Sequence, residues 1–204
     1  MPGRAPCVLL ALLGVLALAS PARGTVALRV DLPELTAAAD LVLRGRVVGE
    51  VSRWDSSRRR IYTEVTVAVD EVYKGDARVG HSLVVTRLGG SVGGVGLRVA
   101  GEVSLAAGEE SILFLRRHEA RRGARLTVVG MAQGKLAVLR DRRGARVLPA
   151  AGGAGLRLVT PTGSGRLRRV ATPPAVRPLR EVEREIRSLV AARRPAAVRP
   201  PVQP

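Results

Sequence analysis

The side chains best suited to chemistry in this chain of 204 residues are arginines that occur in short runs. One run is Arg58, Arg59 and Arg60, and a second group comprises Arg116, Arg117, Arg121 and Arg122. Guanidinium groups bind carboxylate and phosphate through paired hydrogen bonds. Together with the glycine-rich segment 89–96, these two groups predict a cationic recognition rim for an anionic partner.

The overall charge supports this prediction. The chain carries 34 Lys and Arg against 17 Asp and Glu, for a formal net charge of +17. This excess attracts anionic polysaccharides, phospholipid headgroups or acidic proteins over about a Debye length. The expected partner is therefore an anionic glycan or a protein.

Residues for catalysis are few. His81 and His118 are the two histidines, and both adjoin polar or charged residues in expected loop or strand-edge positions. Cys7 is the one cysteine, and no Gly-x-Ser-x-Gly motif is present. Glu109 and Glu110 are adjacent in an expected turn, where solvated charge is the ordinary interpretation. The sequence predicts no catalytic residue, no metal site and no cofactor.

Two nucleotide-binding interpretations are also weak. The glycine-rich segment lacks the Gly-Lys-Ser/Thr ending of a P-loop and does not open a helix, so a bent loop is expected. Single-strand binding uses aromatic rings that stack on bases. The aromatic residues are Trp54, Tyr62, Tyr73 and Phe114, with Phe114 expected in the core. This small set, together with export, disfavours nucleic acid as the partner.

The first 24 residues have the organisation of a secretory signal peptide. Arg4 precedes an apolar run from Val8 to Ala19, and small residues follow at Ala22 to Gly24. We expect segment 1–24 to be cleaved and the protein to be secreted or periplasmic. Cleavage removes two arginines and Cys7, which leaves a net charge of +15 and no disulfide. No later apolar segment approaches the roughly 20 residues that span a membrane.

Two long strands must position the arginine runs. Alternate residues from Leu41 to Val51 are apolar, including Leu43 and Val47, and residues 61–73 repeat the pattern from Ile61 through Val69 to Tyr73. Gly45 and Gly49 are expected to relieve crowding where the first strand bends. Such long, coiled strands predict a small β-barrel.

The rest of the chain divides into short elements. Asp31 and Pro33 predict a short capped helix before the first strand. Strands are expected at 82–87, 111–115, 126–129 and 135–139, with a glycine-rich hairpin through 103 and no intervening helix that could support a parallel crossover. The predicted domain is 25–149, followed by a linker 150–177, an amphipathic helix 178–192 that packs on the barrel, and a disordered Pro-rich tail 193–204.

Several of these segments resemble a known family. They are Ala39 to Val48, Tyr62 to Gly75, Val92 to Val99 and Gly108 to Leu115, which look like the netrin-like (NTR) domain of tissue inhibitors of metalloproteinases and the same layout in exported bacterial proteins. The resemblance implies an all-β fold, an OB-like five-stranded Greek-key barrel with a short N-terminal helix and a C-terminal amphipathic helix. It also implies binding of proteins or glycans outside the cell.

One departure from that family limits what is carried over. Its inhibitors chelate the protease zinc with an N-terminal cysteine, and no cysteine follows Cys7 here. We therefore expect an exported, non-catalytic binding module and carry over no functional residue. Two alternatives stay open: an envelope-associated hydrolase with an unrecognised carboxylate site, and an envelope structural protein.

Overall fold

The computed structural model describes residues 25–119, 123–142, 144–149, 156–162, 166–170 and 175–192. The expected signal peptide and Pro-rich tail lie outside these ranges. The described elements are β1 (Thr25–Leu28), α1 (Leu32–Ala38), β2 (Leu41–Trp54), β3 (Ile61–Lys74), β4 (Ser82–Leu88), β5 (Gly90–Val92), β6 (Val95–Leu97), β7 (Glu110–His118), β8 (Arg125–Val128), a 3-10 helix (Met131–Gly134), β9 (Lys135–Asp141), β10 (Gly144–Pro149), β11 (Leu156–Pro161), β12 (Leu167–Arg169), β13 (Arg177–Pro178) and α2 (Leu179–Ala192).

Five strands pair in a closed ring. Around the ring the order is β2, β3, β4, β8 and β7, and β7 returns to β2. Four of these pairings are antiparallel, but β4 and β8 are parallel where Val85 pairs with Leu126. This parallel contact forms with no helical element among the described residues between the two strands. The parallel contact arises because β7, which runs the opposite way, lies between β4 and β8 in the chain.

Two apolar cores form on the two faces of this sheet. Inside the ring, Leu43, Val47, Val65, Val85 and Leu113 are almost fully buried. Outside the ring, both helices cover the extension of the sheet through β9 and β10, in a cluster that contains Val42, Phe114, Val182 and Ile186. Full burial of each such side chain contributes about 1.5–3 kcal/mol. The amphipathic helix α2 thus packs on the sheet, as its pattern predicts.

The capped first helix is confirmed in detail. The Asp31 side chain accepts a hydrogen bond from the Glu34 backbone N–H, and the Glu34 side chain accepts one from the Asp31 N–H. This reciprocal pair satisfies two backbone donors that a helix start otherwise leaves open. In the described part of the chain, neither helix is long and apolar enough to cross a membrane.

The alternation predicted for the two long strands holds until the register shifts. In β3 the odd residues from Ile61 to Val69 are buried as expected. Val51, expected on the buried face of β2, is 51% exposed. The pairing skips Val48, since Val47 pairs with Val67 and Gly49 with Thr66. This bulge exchanges the two faces beyond it, because strand side chains alternate with a period of 2.

A second irregularity in the pairing places Tyr73 on a different face of β3 from the one that the alternation predicts. The pairing of β2 with β3 passes over Asp70 and Tyr73, so Val72 packs toward the ring interior. Tyr73 instead joins the core beneath α2. Its face is therefore opposite to that of Val69, although the simple alternation places both on one side.

The segment 150–177, expected as a linker, contains strands. β11 pairs in parallel with β1 and antiparallel with β12, which makes a separate three-stranded sheet, and β13 pairs with β10. Strands β1 and β10 were not predicted either. These pairings join residues that are more than a hundred positions apart in the case of β1 and β11, which a local pattern does not show.

Gly45 and Gly49 offer a matched test of the ring. A Cβ atom on Gly45 would lie 2.4 Å from the Ala68 carbonyl oxygen, whereas one on Gly49 would have no neighbour within 4 Å. We expect Gly45→Ala to lower the free energy of unfolding by about 1–3 kcal/mol, because overpacking forces backbone shifts. Gly49→Ala, in the same strand, should change it little. Denaturant unfolding measures both, and equal effects would contradict the close approach of β2 to β3.

Candidate functional site

The loop between β2 and β3 is organised by one carboxylate. Asp55 Oδ1 accepts hydrogen bonds from the backbone N–H groups of Arg59 at 2.8 Å and Arg60 at 3.2 Å, and Oδ2 accepts one from Ser57 Oγ at 2.8 Å. Desolvation raises the pKa of Asp55, but the bonds from Ser57, Arg60 and Arg59 outweigh it and lower the pKa. Its charge is therefore present at neutral pH and holds the loop backbone.

This arrangement leaves the three arginine side chains exposed to solvent. Arg58, Arg59 and Arg60 are exposed, and none forms an ion pair with any residue in the described ranges. Arg58 has a φ of +54°, a conformation that carries a steric cost for a non-glycine residue and that the surrounding loop bonds maintain. We call residues 55–60 the arginine tip.

The glycine-rich hairpin lies at the same end of the strands. β5 and β6 pair through Gly90 and Leu97, and the Gly89 N–H donates to the Ile61 carbonyl at 2.7 Å. At Gly90 a Cβ atom would lie 2.3 Å from both Ser52 Oγ and Thr63 Oγ1. Glycine at this position lets the hairpin pack directly beside the base of the arginine tip.

An open cavity of about 530 Å³ lies between this hairpin and segment 98–104. Arg87 and Arg98 contribute cationic groups to its lining. Arg87 Nη2 donates to Glu50 Oε2 at 3.1 Å, and its buried Nε has no hydrogen-bond partner among the described residues. Trp54, at the end of β2, is 37% exposed. This end of the ring therefore combines a cavity, an aromatic ring and several guanidinium groups.

The described members of the second arginine group, Arg116 and Arg117, lie elsewhere. Arg116 and Arg117 are in β7 rather than in a loop, and Leu115 pairs with Leu41, the first residue of β2. The arginine tip follows Trp54, the last residue of β2. Arg116 and Arg117 therefore do not share a rim with the arginine tip, because the antiparallel pairing of β7 with β2 places them near the first residue of β2.

The contacts of this second group are with the fold itself. Arg116 donates to the Ala38 carbonyl through Nε at 3.2 Å and Nη2 at 3.0 Å. Arg117 Nη2 donates to Asp76 Oδ1 at 3.0 Å. Arg121 and Arg122 lie outside the described residues. The described members of this group tie β7 to its neighbours and offer less free charge than the tip.

An ionic network centred on one buried carboxylate occupies the outer face of the ring. The Glu110 side chain is 4% exposed and accepts hydrogen bonds from Arg44 at 2.7 Å, Arg46 at 3.2 Å and Arg140 at 2.6 and 2.8 Å. Arg44 Nε lies 3.3 Å from Glu183 on α2, which also accepts from the Tyr73 hydroxyl at 2.6 Å. The network connects β2, β3, β7, β9 and α2.

The positions of Glu109 and Glu110 differ from the expectation for these two adjacent glutamates. Both were expected as solvated turn charges, but Glu110 begins β7, and Glu109 lies 2.6 Å from Lys135 Nζ. Hydrogen bonds from Arg140, and then from Arg44, outweigh desolvation and lower the pKa of Glu110 to about 2. Glu110 therefore has no proton to donate at neutral pH and acts here as an ion-pair acceptor.

The histidines are on the surface, as expected. His81 precedes β4, and His118 ends β7 with its Nε2 2.9 Å from Thr127 Oγ1. Among the residues that the structure describes, no group of three or more His, Cys, Asp or Glu is arranged to hold a metal ion.

Sequence reasoning missed Asp55, Arg87 and the Glu110 network. An Asp followed by small and polar residues between two strands indicates an Asx-type turn, so Asp55 could have been found.

Comparison of the chain with known proteins found no matching family model, no matching curated protein and no matching solved structure. The site must therefore be interpreted from its own geometry.

The Glu110 network predicts a defined pH dependence. Because the pKa is lowered from 4.5 to about 2 in the folded protein, its contribution is present above pH 4.5 and is lost as the pH falls toward 2. Glu110→Gln should lower the free energy of unfolding at pH 7 by about 3 kcal/mol and flatten its change between those pH values.

Glu64→Gln is the matched control for this measurement. Glu64 pairs with Arg53 at 3.2 Å, but both side chains are about half exposed or more, so a loss below about 1 kcal/mol is expected. Denaturant unfolding at several pH values measures both variants. A Glu110→Gln profile as steep as that of the unsubstituted protein would contradict the assignment.

Proposed function

We propose that the protein is an exported binding module that recognises a polyanionic glycan, carboxylated or sulfated, at the end of the ring that carries the arginine tip. The observation that carries this proposal is that three adjacent arginine side chains are exposed and form no ion pair in the described ranges, while the backbone beneath them is fixed by Asp55. A binding surface made in this way is preorganised, which reduces the ordering cost of association.

The order of strands in the ring supports an OB-like assignment. Counted along the chain, the ring strands β2, β3, β4, β7 and β8 are adjacent in the order 1-2-3-5-4, with the parallel contact between the third and fifth. OB-folds bind oligosaccharides and oligonucleotides over their second and third strands and the loops after the first and fourth. The arginine tip is the loop after the first strand in this numbering.

A glycan fits this surface better than a nucleic acid does. Single-strand binding needs several aromatic rings on which bases stack. Phe114 is fully buried and Tyr73 is 8% exposed, and Arg125 covers the ring of Tyr62 at 5.5 Å. Trp54 is left as the one open aromatic ring in the described part of this end. A partner that presents repeated negative charge needs no such stacking series.

The partner must offer several charges at once. An exposed ion pair contributes about 0.2–1 kcal/mol, so one contact would give no useful affinity. A polymer with an anionic group on successive sugars can engage the tip together with Arg98 at the cavity. Binding of this kind weakens as salt shortens the Debye length from about 10 Å at 0.1 M to about 3 Å at 1 M.

The arginine tip can be tested by charge removal. Replacement of Arg58, Arg59 and Arg60 by Ser should weaken binding to heparin or to a polyuronate about tenfold. Retention on an immobilised glycan and titration calorimetry measure the change over a range of salt concentrations. Salt-independent retention of the unsubstituted protein would reject the proposal.

A control variant removes the same charge at another place. Arg166, Arg168 and Arg169 are exposed and lie beside or within β12 of the separate three-stranded sheet. Their replacement by Ser changes the net charge by the same amount. Retention should stay close to that of the unsubstituted protein. An equal loss in the two triple variants would mean that net charge alone governs binding.

Asp55→Ala changes the net charge of the protein in the opposite direction from the arginine replacements. It makes the protein more basic, so attraction by net charge alone predicts tighter binding. Because Asp55 fixes the backbone of the tip, we expect binding that is about three- to tenfold weaker. Hydrogen exchange at the Arg59 and Arg60 amides reports the loosened loop. Tighter binding of this variant would show that a preorganised tip is not required.

A further inference from the structure

A second cavity, of about 390 Å³, lies outside the five-stranded ring, between the two helices and strands β9 to β11. Its walls come from α1, α2, β9, β10 and β11, and they include Leu35, Val182, Leu136, Val147 and Leu158. None of its lining residues belongs to the arginine tip or to the glycine-rich hairpin. The volume falls within the range of about 300–1,000 Å³ that small-molecule sites occupy.

The cavity is open to solvent on one side, and its inner wall includes the buried side chains of Leu35, Leu136 and Val182. An apolar cavity of about 150 Å³ already binds small apolar molecules when it is engineered into a protein. The cavity therefore has room for an aliphatic chain in contact with its buried leucine and valine side chains.

The charged groups around the cavity indicate the polarity of the other end of a ligand. Asp31 is engaged as the cap of α1, and Glu185 pairs with Arg177 at 2.6 Å. Arg29 is exposed and forms no ion pair with a residue in the described ranges. Among the charged lining residues, Arg29 is therefore the one whose side chain has no ion pair or hydrogen bond in the described ranges.

We propose that this cavity binds a single aliphatic chain and that Arg29 pairs with the anionic head group of that ligand. The chain lies against Leu35, Leu136 and Val182, and the head group stays at the solvent-exposed opening. This arrangement buries apolar surface while it keeps the charge hydrated, which is the lower-energy placement of an amphipathic molecule. The proposal is independent of glycan binding at the arginine tip.

Titration calorimetry of the purified protein with decanoate tests the proposal. Saturable binding with one site is expected, and decanol should bind with similar chain contacts but without the ion pair. Lysophosphatidic acid, titrated in parallel, distinguishes a phosphate from a carboxylate as the preferred head group. The absence of saturable decanoate binding would overturn the proposal.

Variants locate the site. Ala175→Trp at the opening and Leu158→Trp in the wall should each weaken decanoate binding about tenfold or more, because the indole occupies the space of the chain. Val176→Trp is the matched control, since Val176 is 49% exposed and does not line the cavity. Equal binding by all three variants would overturn the proposed location.

Arg29→Ala tests the head-group contact, because it removes the guanidinium group and leaves the buried apolar wall of the cavity unchanged. It should weaken decanoate binding about two- to fivefold, the range for an exposed ion pair, and leave decanol binding unchanged. An equal loss for decanol would overturn the ion pair. Thermal unfolding of each variant without ligand confirms that the fold is retained.

Discussion

Strand β2 is buried on both faces over its first residues, and this two-sided burial determines where the other elements can lie. Leu41 and Leu43 face the ring interior, whereas Val42 faces the helical layer. The same strand pairs with β3 on one edge and β7 on the other, so it belongs to the ring and to the second core at once. A polar residue in this stretch must therefore be ion-paired, and Arg44 meets that condition through Glu110 and Glu183.

Beyond the bulge at Val48, β2 is no longer buried on both faces. Beyond it, Val51 and Arg53 face solvent, and Ser52 hydrogen-bonds to Thr63 at 2.9 Å. The last part of β2 is therefore largely exposed to solvent, although Ile61 and Thr63 on the neighbouring strand β3 stay buried. Such a segment can tolerate a charged tip, because its guanidinium groups keep their hydration. The position of the candidate glycan site thus follows from the point at which two-sided burial ends.

The sequence predicted the features that depend on local pattern. The alternation from Ile61 to Val69, the cap at Asp31 and the amphipathic helix α2 are all present, since each is specified by residues within a few positions of one another. It did not predict features that depend on register or distant pairing. The inversion at Val51 needs the bulge, and β11 needs β1 as its partner. The separation of Arg116 from the tip was missed for the same reason, because it depends on how β7 pairs with β2.

The distribution of acidic residues explains why geometry, more than total charge, should govern recognition. The chain has twice as many basic as acidic residues, and several acids are used where the fold must neutralise an arginine: Glu110 for Arg140, Asp76 for Arg117 and Glu185 for Arg177. Asp55, the acid within the tip, is bound to backbone N–H groups instead of a guanidinium. At the tip, an acid therefore fixes the backbone of the loop without forming an ion pair with its side chains. Two proteins of equal net charge would differ in affinity if only one placed its acids in this way.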